Sequence, residues 1–417
     1  MQPVTRILSD PTRAAELLRE LRNRQDELEA LLADLVAAPS GNPPGDTTGP
    51  ARVVENFLRA QGLPSERIAG DPAKPNVVST IESQEPGPHL VLNGHLDTLA
   101  PDDEDAWSVP LYALTAVDGR LFGIGTGNMK GAIAALLVAF SWLAARRRLW
   151  RGRISFTAVS DEVVFGGRGA AHLLEMRPEF YGDALICGEG PGEMGLAVGE
   201  KGVCWLRINA SGVPGQGMVA PRGSSAIQAL ARVLPALDEL NEWRVDPPPE
   251  LSALAPAPAA EGLRVSANVG RIQGGRLVSQ VATESWAELD LRIPPGLTVA
   301  AIEEAVAAAL PDRGRYCLEK LKDWEPNWTP IASPIVEAAR AASTCVRKRQ
   351  PDLVIRLPGS DAARWRAQGV PAICFGPQPL LASGVDDFVF REDLIDCAEI
   401  YALSALLYFE LNSGKMA

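Results

Sequence analysis

Short apolar runs with strand character alternate with helical runs along the first half of this chain, and that alternation restricts the fold more than any other feature. The runs "NVVSTI", "HLVLNGHL", "RISFTAV" and "DALICGE" have the β-branched composition of strands. Helical patterns over residues 51–61, from Met129 onward and near Gly169 accompany them. Such alternation predicts an α/β fold in which helices sandwich a largely parallel sheet. Ahead of it, "AAELLRELRNRQDELEALLADLVAA" predicts one long amphipathic helix closed by the turn-rich "PSGNPPGDTTGP".

Near Lys201 the pattern changes. "GVCWLRINASG", a helical stretch, "VSANVGRIQGG", "SWAELDLRIPP", a second helical stretch and "RYCLEKL" read as βαββαβ, a ferredoxin-like unit of its own. After Trp328 the first pattern resumes with a helix, the strand "PAICFG" and a closing helix. The predicted organisation is therefore a first catalytic segment over 1–200, an inserted lid or dimerisation domain over 201–322, and a second catalytic segment over 323–417. "DPPPELSALAPAPAAEG" is expected to be a loop.

Composition narrows the partners. With 40 basic and 52 acidic residues, the net charge of −12 disfavours a nucleic-acid surface or an anionic membrane and leaves a small molecule or small peptide as ligand. The six cysteines are widely spaced and form no CxxC pair, so no disulfide framework or structural zinc site is expected. The N-terminal stretch lacks the apolar core of a signal peptide, and the longest apolar run, 131–145, is expected to be too short for a bilayer. A cytoplasmic location is the expectation.

The chemistry-bearing residues fall at strand ends, where open α/β sheets bind ligands. "NGHLDT" delivers His95 and Asp97, two apart and so on one face of an extended segment. A carboxylate beside a metal-ligating histidine fixes its tautomer. "GIGTGNMKG" is a glycine-rich turn feeding a helix and brings Asn128 to the same edge. "FTAVSDEVV" ends with Asp161 and Glu162, and "LICGEG" ends with Glu189. Read from spacing alone, these are either a site for metal-assisted hydrolysis or ordinary polar loop residues.

In order, the segments "GHLDT", "GRLFGIGTGNMKG", "DE", "GE", "GEKG", "APRGSSAI", "DLR", "GSDA", "GVPAICFGP" and "DDFV" cover nearly the whole chain. Together they resemble the aminoacylase, acetylornithine deacetylase, succinyl-diaminopimelate desuccinylase and carboxypeptidase G group of zinc peptidases, peptidase family M twenty. The resemblance implies a catalytic domain carrying an inserted dimerisation or lid domain, and hence a homodimer. It implies that His95 ligates a metal, that Asp97 orients His95, that Glu162 is the general base and that Glu189 is a carboxylate ligand. Other family positions are changed here: the bridging aspartate falls on Asn128, a glutamate ligand on Val163, and the C-terminal histidine ligand on Ser383. A lid histidine falls on Gln216 and an asparagine on Ser279, both implied to face substrate. Arg292 in "DLR" is read either as a substrate carboxylate binder or as half of a salt bridge. The "GSDA" and "FGP" segments are expected to shape the pocket through their backbones.

Only His89 and His172 remain as other histidines, and both read as structural. The second metal position would be lined by Asn128, Val163 and Ser383, with no anion to offset desolvation, so the second metal is predicted absent. His95, Glu189 and the Asn128 amide oxygen leave a place for one divalent metal, zinc. Three functions follow: a single-metal hydrolase of a small N-acyl amino acid, peptide or related amide; a metal-free enzyme of acyl or aminoacyl transfer; or an inactive homologue that binds.

Overall fold

The structure, a computed structural model, describes residues 10–101, 103–254, 260–311, 314–379 and 384–412. The chain divides into two compact units. The first runs to Val198 and resumes over Thr329–Val354 and from Ser360. The second comprises Gly199–Trp328 and Ile355–Gly359. The inserted unit thus also takes a short segment of the sequence expected in the resumed catalytic part, and its chain leaves at Trp328 rather than 322.

In the first unit four strands run parallel: Arg153–Val159, His89–His95, Ala184–Cys187 and Ala372–Cys374. Antiparallel strands flank them. Asn76–Glu82 pairs with Arg153–Val159, and Leu196–Glu200 joins the other side through Ala197 and Cys374. The parallel strands are buried along nearly their whole length, as strands covered on both faces must be. Register aligns their carboxyl ends. His95 lies opposite Val159 and Asn93 opposite Cys187, so the residues following each strand emerge side by side.

Helix Gly131–Ala144 occupies the centre of this unit. Its sequence GAIAALLVAFSWLA is apolar on all sides, and every residue from Gly131 to Leu143 is buried. It packs on the His89–His95 strand and on helices Gln25–Val36 and Arg391–Asn412. Each large side chain so buried contributes about 1.5–3 kcal/mol. Contrary to the expectation from 131–145, the longer segment Thr126–Ala144 is long and apolar enough to cross a bilayer, but 89% of its apolar window lies inside the protein. The fold therefore accounts for its hydrophobicity.

The predicted single N-terminal helix is two helices, Pro11–Arg22 and Gln25–Val36. Asn23 caps the first by donating its backbone N–H to Arg19 and Leu21. Arg24 in the break sends Nη1 to the Val138 carbonyl and the Ser141 hydroxyl of the central helix, 3.2 and 2.9 Å away. The apolar stripe lapses at the same point, with Arg24 and Gln25 standing between Leu21 and Leu28.

The inserted unit is a four-stranded antiparallel sheet in the order Ser266–Gly274, Glu284–Ile293, Gly202–Ser211, Tyr316–Trp324. Helices Ala226–Asp238 and Val299–Ala308 complete the βαββαβ order. Alternate residues of Glu284–Ile293 are buried, and Leu289 and Leu291 pack with Leu230, Val233 and Ile302 in its own core. The proline-rich stretch holds short turns at Pro249–Leu251 and Glu261–Leu263; residues 255–259 lie outside the described ones.

Candidate metal and catalytic site

His95 ends its strand and is 1% exposed. Its ring is held from both sides: Nδ1 lies 2.8 Å from the Asp97 backbone carbonyl, and Nε2 lies 3.1 Å from Asn128 Oδ1. The same Nε2 is 3.7 Å from Glu162 Oε2 and 3.8 Å from Glu189 Oε1. The ligand atoms of His95, Glu162 and Glu189 all lie within 4.8 Å of one another, the one such cluster of three or more among the described residues. Three strand ends thus converge on one buried point.

The turn that delivers Asn128 depends on glycine. Gly125 has φ of 78°, and a Cβ there would stand 2.3 Å from Thr98 Cγ2. Thr126–Lys130 then forms a π-type turn, and Gly127 donates its N–H to both Asp387 oxygens, at 3.2 and 3.3 Å. The Asn128–Met129 peptide is cis.

Asp97 does more than the expected orienting of His95. Its carboxylate Oδ1 is 3.6 Å from His95 Nδ1, beyond hydrogen-bond range, so the ring is oriented by the Asp97 main chain. The carboxylate instead accepts the backbone N–H groups of Glu162 and Val163, each at 3.1 Å, and the Asn42 side-chain amide at 2.8 Å. It therefore fixes the loop that carries Glu162. Burial alone would raise this carboxyl, but the contacts with His95, Asn42 and the Glu162 amide hold it below the usual range. Val163 contributes its N–H here, and its side chain has no ligand atom.

The electrostatics of the cluster follow from three acids around one imidazole. Burial would lower the His95 pKa, but Glu162, Asp97 and Glu189 outweigh it, and the ring stays protonated well above its usual value. With both nitrogens facing oxygen, an imidazolium satisfies the geometry. Burial, and then repulsion by Glu189, push Glu162 well above the ordinary carboxylate range. The Cys187 thiol donates to Glu189 Oε2 at 3.9 Å.

Three residues not expected at the site belong to it. Asp361 of "GSDA", expected to act through its backbone, is 4% exposed, and its Oδ2 is buried with no hydrogen-bond partner among the described residues. Burial and the nearby Glu189 raise it to about 7, although Arg364 and His95 act in the other direction. Asn42 secures Asp97, and Lys74 pairs with Asp161. An asparagine in a proline-rich turn and a lysine in a loop carry no sequence signal of this; the aspartate after "GS" was a usable one.

Ser383 lies outside the described residues. Gln216, Ser279 and Arg292 belong to the inserted unit. Gln216 and Ser279 are exposed there, with Gln216 bridged to Gln280 and the Gly217 N–H on the Ser279 carbonyl. Arg292 makes a two-point salt bridge to Asp290, at 2.7 and 2.9 Å. His89 shares a 2.8 Å hydrogen bond with Ser155, away from the cluster, and His172 is half-buried in helix Ala170–Met176.

Against this geometry, comparisons with known proteins are specific. The model of Peptidase family M20/M25/M40 matches residues 91–406. Succinyl-diaminopimelate desuccinylase of Bradyrhizobium diazoefficiens is 28% identical over 403 residues, covering 91% of this chain and 98% of that protein. Acetylornithine deacetylase of Vibrio atlanticus is 28% identical over 308 residues, covering 71% and 74%. Among solved structures, the di-peptidase Dug1p of Saccharomyces cerevisiae superposes with a TM-score of 0.75 at 12% identity, over 96% of this chain and 99% of that one. A dinuclear metal-binding peptidase of Bacillus subtilis does so with a TM-score of 0.68 at 16% identity, over 94% and 99%.

Proposed function

Because the chain belongs to Peptidase family M20/M25/M40, whose members hydrolyse amide and peptide bonds, we propose that it cleaves the amide of a small N-acyl amino acid, peptide or related amide with at most one metal ion. The observation that carries the reading is the convergence of His95 Nε2, Glu162 Oε2 and Glu189 Oε1 within 4.8 Å, with Asn128 Oδ1 on the same imidazole nitrogen. One imidazole, a carboxylate and an amide oxygen suit a single divalent ion, zinc above others, with His95, Glu189 and Asn128 holding it. Asn128 and Val163 bring no anion for a second one.

When bound, such an ion supplies polarisation of the scissile carbonyl and acidification of water. The chain's own part is proton handling. Glu162 Oε2 accepts a proton from the attacking water as its oxygen bonds to the carbonyl carbon. It then returns that proton to the leaving nitrogen as the C–N bond breaks. A raised Glu162 pKa suits the second half of this cycle. Asp97 holds Glu162 in place through its amide, and the buried setting strengthens every charge interaction involved.

The test is metal per subunit by elemental analysis, on protein purified without chelator and after adding zinc, manganese or cobalt. A value near one is expected, falling when His95 or Glu189 becomes Ala and persisting in Glu162→Gln, which loses turnover by about 10²–10⁴-fold. A value near zero throughout would instead favour metal-free transfer chemistry or binding alone. We extend the proposal to a homodimer through the inserted unit, supported by its exposed Val213, Met218, Val219 and Val278. A cytoplasmic location is supported by six free cysteines.

A further inference from the structure

A cavity of about 310 Å³ adjoins the cluster in the first unit, with Asn128 in its wall. Asn128 Oδ1 is 3.1 Å from His95 Nε2, so a substrate group in the cavity is next to the reacting centre. The volume corresponds to roughly ten waters. Its walls are mainly hydrocarbon: Leu99, Trp107, Ile124 and Val385 surround it together with prolines.

The charged groups of the wall are all of one sign. Asp103 and Asp387 line the cavity, and no lysine or arginine does so among the described residues. Lys130, buried in the adjacent turn, gives its Nζ to the Ala38 carbonyl at 2.8 Å and its charge acts on Asp387, so it is already committed to the protein rather than to the cavity. One neutral handle is available. Thr98 Oγ1 is buried without a hydrogen-bond partner among the described residues.

We propose that this cavity selects an uncharged, mainly apolar group flanking the scissile amide and rejects a carboxylate in that position. The inference rests on the amide-hydrolase reading and adds a substrate class to it. A carboxylate entering here would lose its water and find no lysine or arginine in the wall, only the acidic Asp103 and Asp387, so it is rejected chiefly by missing partners. A neutral hydrocarbon group fills the same space and meets Leu99 and Trp107. A single carbonyl or hydroxyl on it can pair with Thr98.

The experiment uses two matched pairs of amides, so that either side of the bond is probed. N-butyryl-L-alanine is set against N-succinyl-L-alanine, and N-acetyl-L-leucine against N-acetyl-L-glutamate. In at least one pair the neutral member should be favoured by at least about a hundredfold in kcat/KM. Leu99→Arg, at a position 48% exposed, should narrow that ratio at least tenfold by supplying the missing cation. Val385→Arg, 51% exposed, repeats the test from the other side of the cavity should the first variant not fold, as judged by circular dichroism and Tm. Equal use of both members in both pairs, or ratios unmoved by both folded variants, would overturn the proposal. Calorimetric binding of the same four amides to Glu162→Gln reads the cavity without turnover. Preferential binding of a neutral member with no hydrolysis by the unmodified protein would sink the hydrolase reading and leave the cavity's selectivity standing, whereas no binding of any of the four would sink the selectivity as well.

Discussion

Asn128→Asp places a carboxylate where the chain has an amide, and the structure fixes what that must do. The new oxygen would stand 3.1 Å from His95 Nε2. At an effective dielectric of about 20, attraction to a protonated His95 is worth about 5 kcal/mol. Glu162 and Glu189 lie 3.7 and 3.8 Å from the same nitrogen. Repulsion from whichever of them is ionised opposes it by a term of the same order. In metal-free protein the terms nearly cancel, so Tm should move by only a few degrees. A divalent ion would gain an anionic ligand in place of a neutral one. Its affinity should rise at least about a hundredfold, equivalent to roughly 3 kcal/mol, with stoichiometry still one because Val163 offers no ligand. Calorimetric titration with zinc, paired with melting curves with and without the ion, measures both quantities. Unchanged zinc affinity would refute the placement of the metal at Asn128, and a large loss of metal-free stability would refute the charge balance drawn around His95.

Two further outcomes concern the scaffold. Burial, reinforced by Arg153, lowers the His89 pKa from 6.5 to about 4. Its neutral form therefore adds stability that is complete above pH 6.5 and is lost as pH falls toward 4. Up to about 3 kcal/mol is involved, and the difference in urea stability between the unmodified protein and His89→Gln should vary with pH by that amount across the window. A difference independent of pH would dismiss the assignment. Asn42→Ala removes the amide that bonds Asp97 Oδ2 at 2.8 Å in a buried setting, and should cost about 1–3 kcal/mol in urea unfolding while also lowering kcat, since Asp97 holds the Glu162 loop. A variant as stable and as active as the parent would show that the loop is held by other contacts.

How far the sequence reaches into this site depends on whether a residue's role is local. The parallel strands were legible because period and composition are properties of a few consecutive residues, and the strand ends carried His95, Glu162 and Glu189 with them. The helix break at Asn23 was legible only in part: Arg24 and Gln25 interrupt the apolar stripe between Leu21 and Leu28, but the Arg24 contact with Val138 and Ser141 spans more than a hundred residues. Asp97 shows the same limit within one motif. Spacing places it beside His95, but its carboxylate serves amides sixty-five and sixty-six residues away, a relation created only when two parallel strands align at Val159 and His95. Asp361 comes from still farther along the chain and brings another carboxyl to the same neighbourhood. The consequence bears on chemistry. The fold keeps Asp97, Glu162, Glu189 and Asp361 near a single histidine. One imidazolium cannot neutralise four carboxylates. The balance requires protons on some of them, which the raised Glu162 and Asp361 express, or a cation between them.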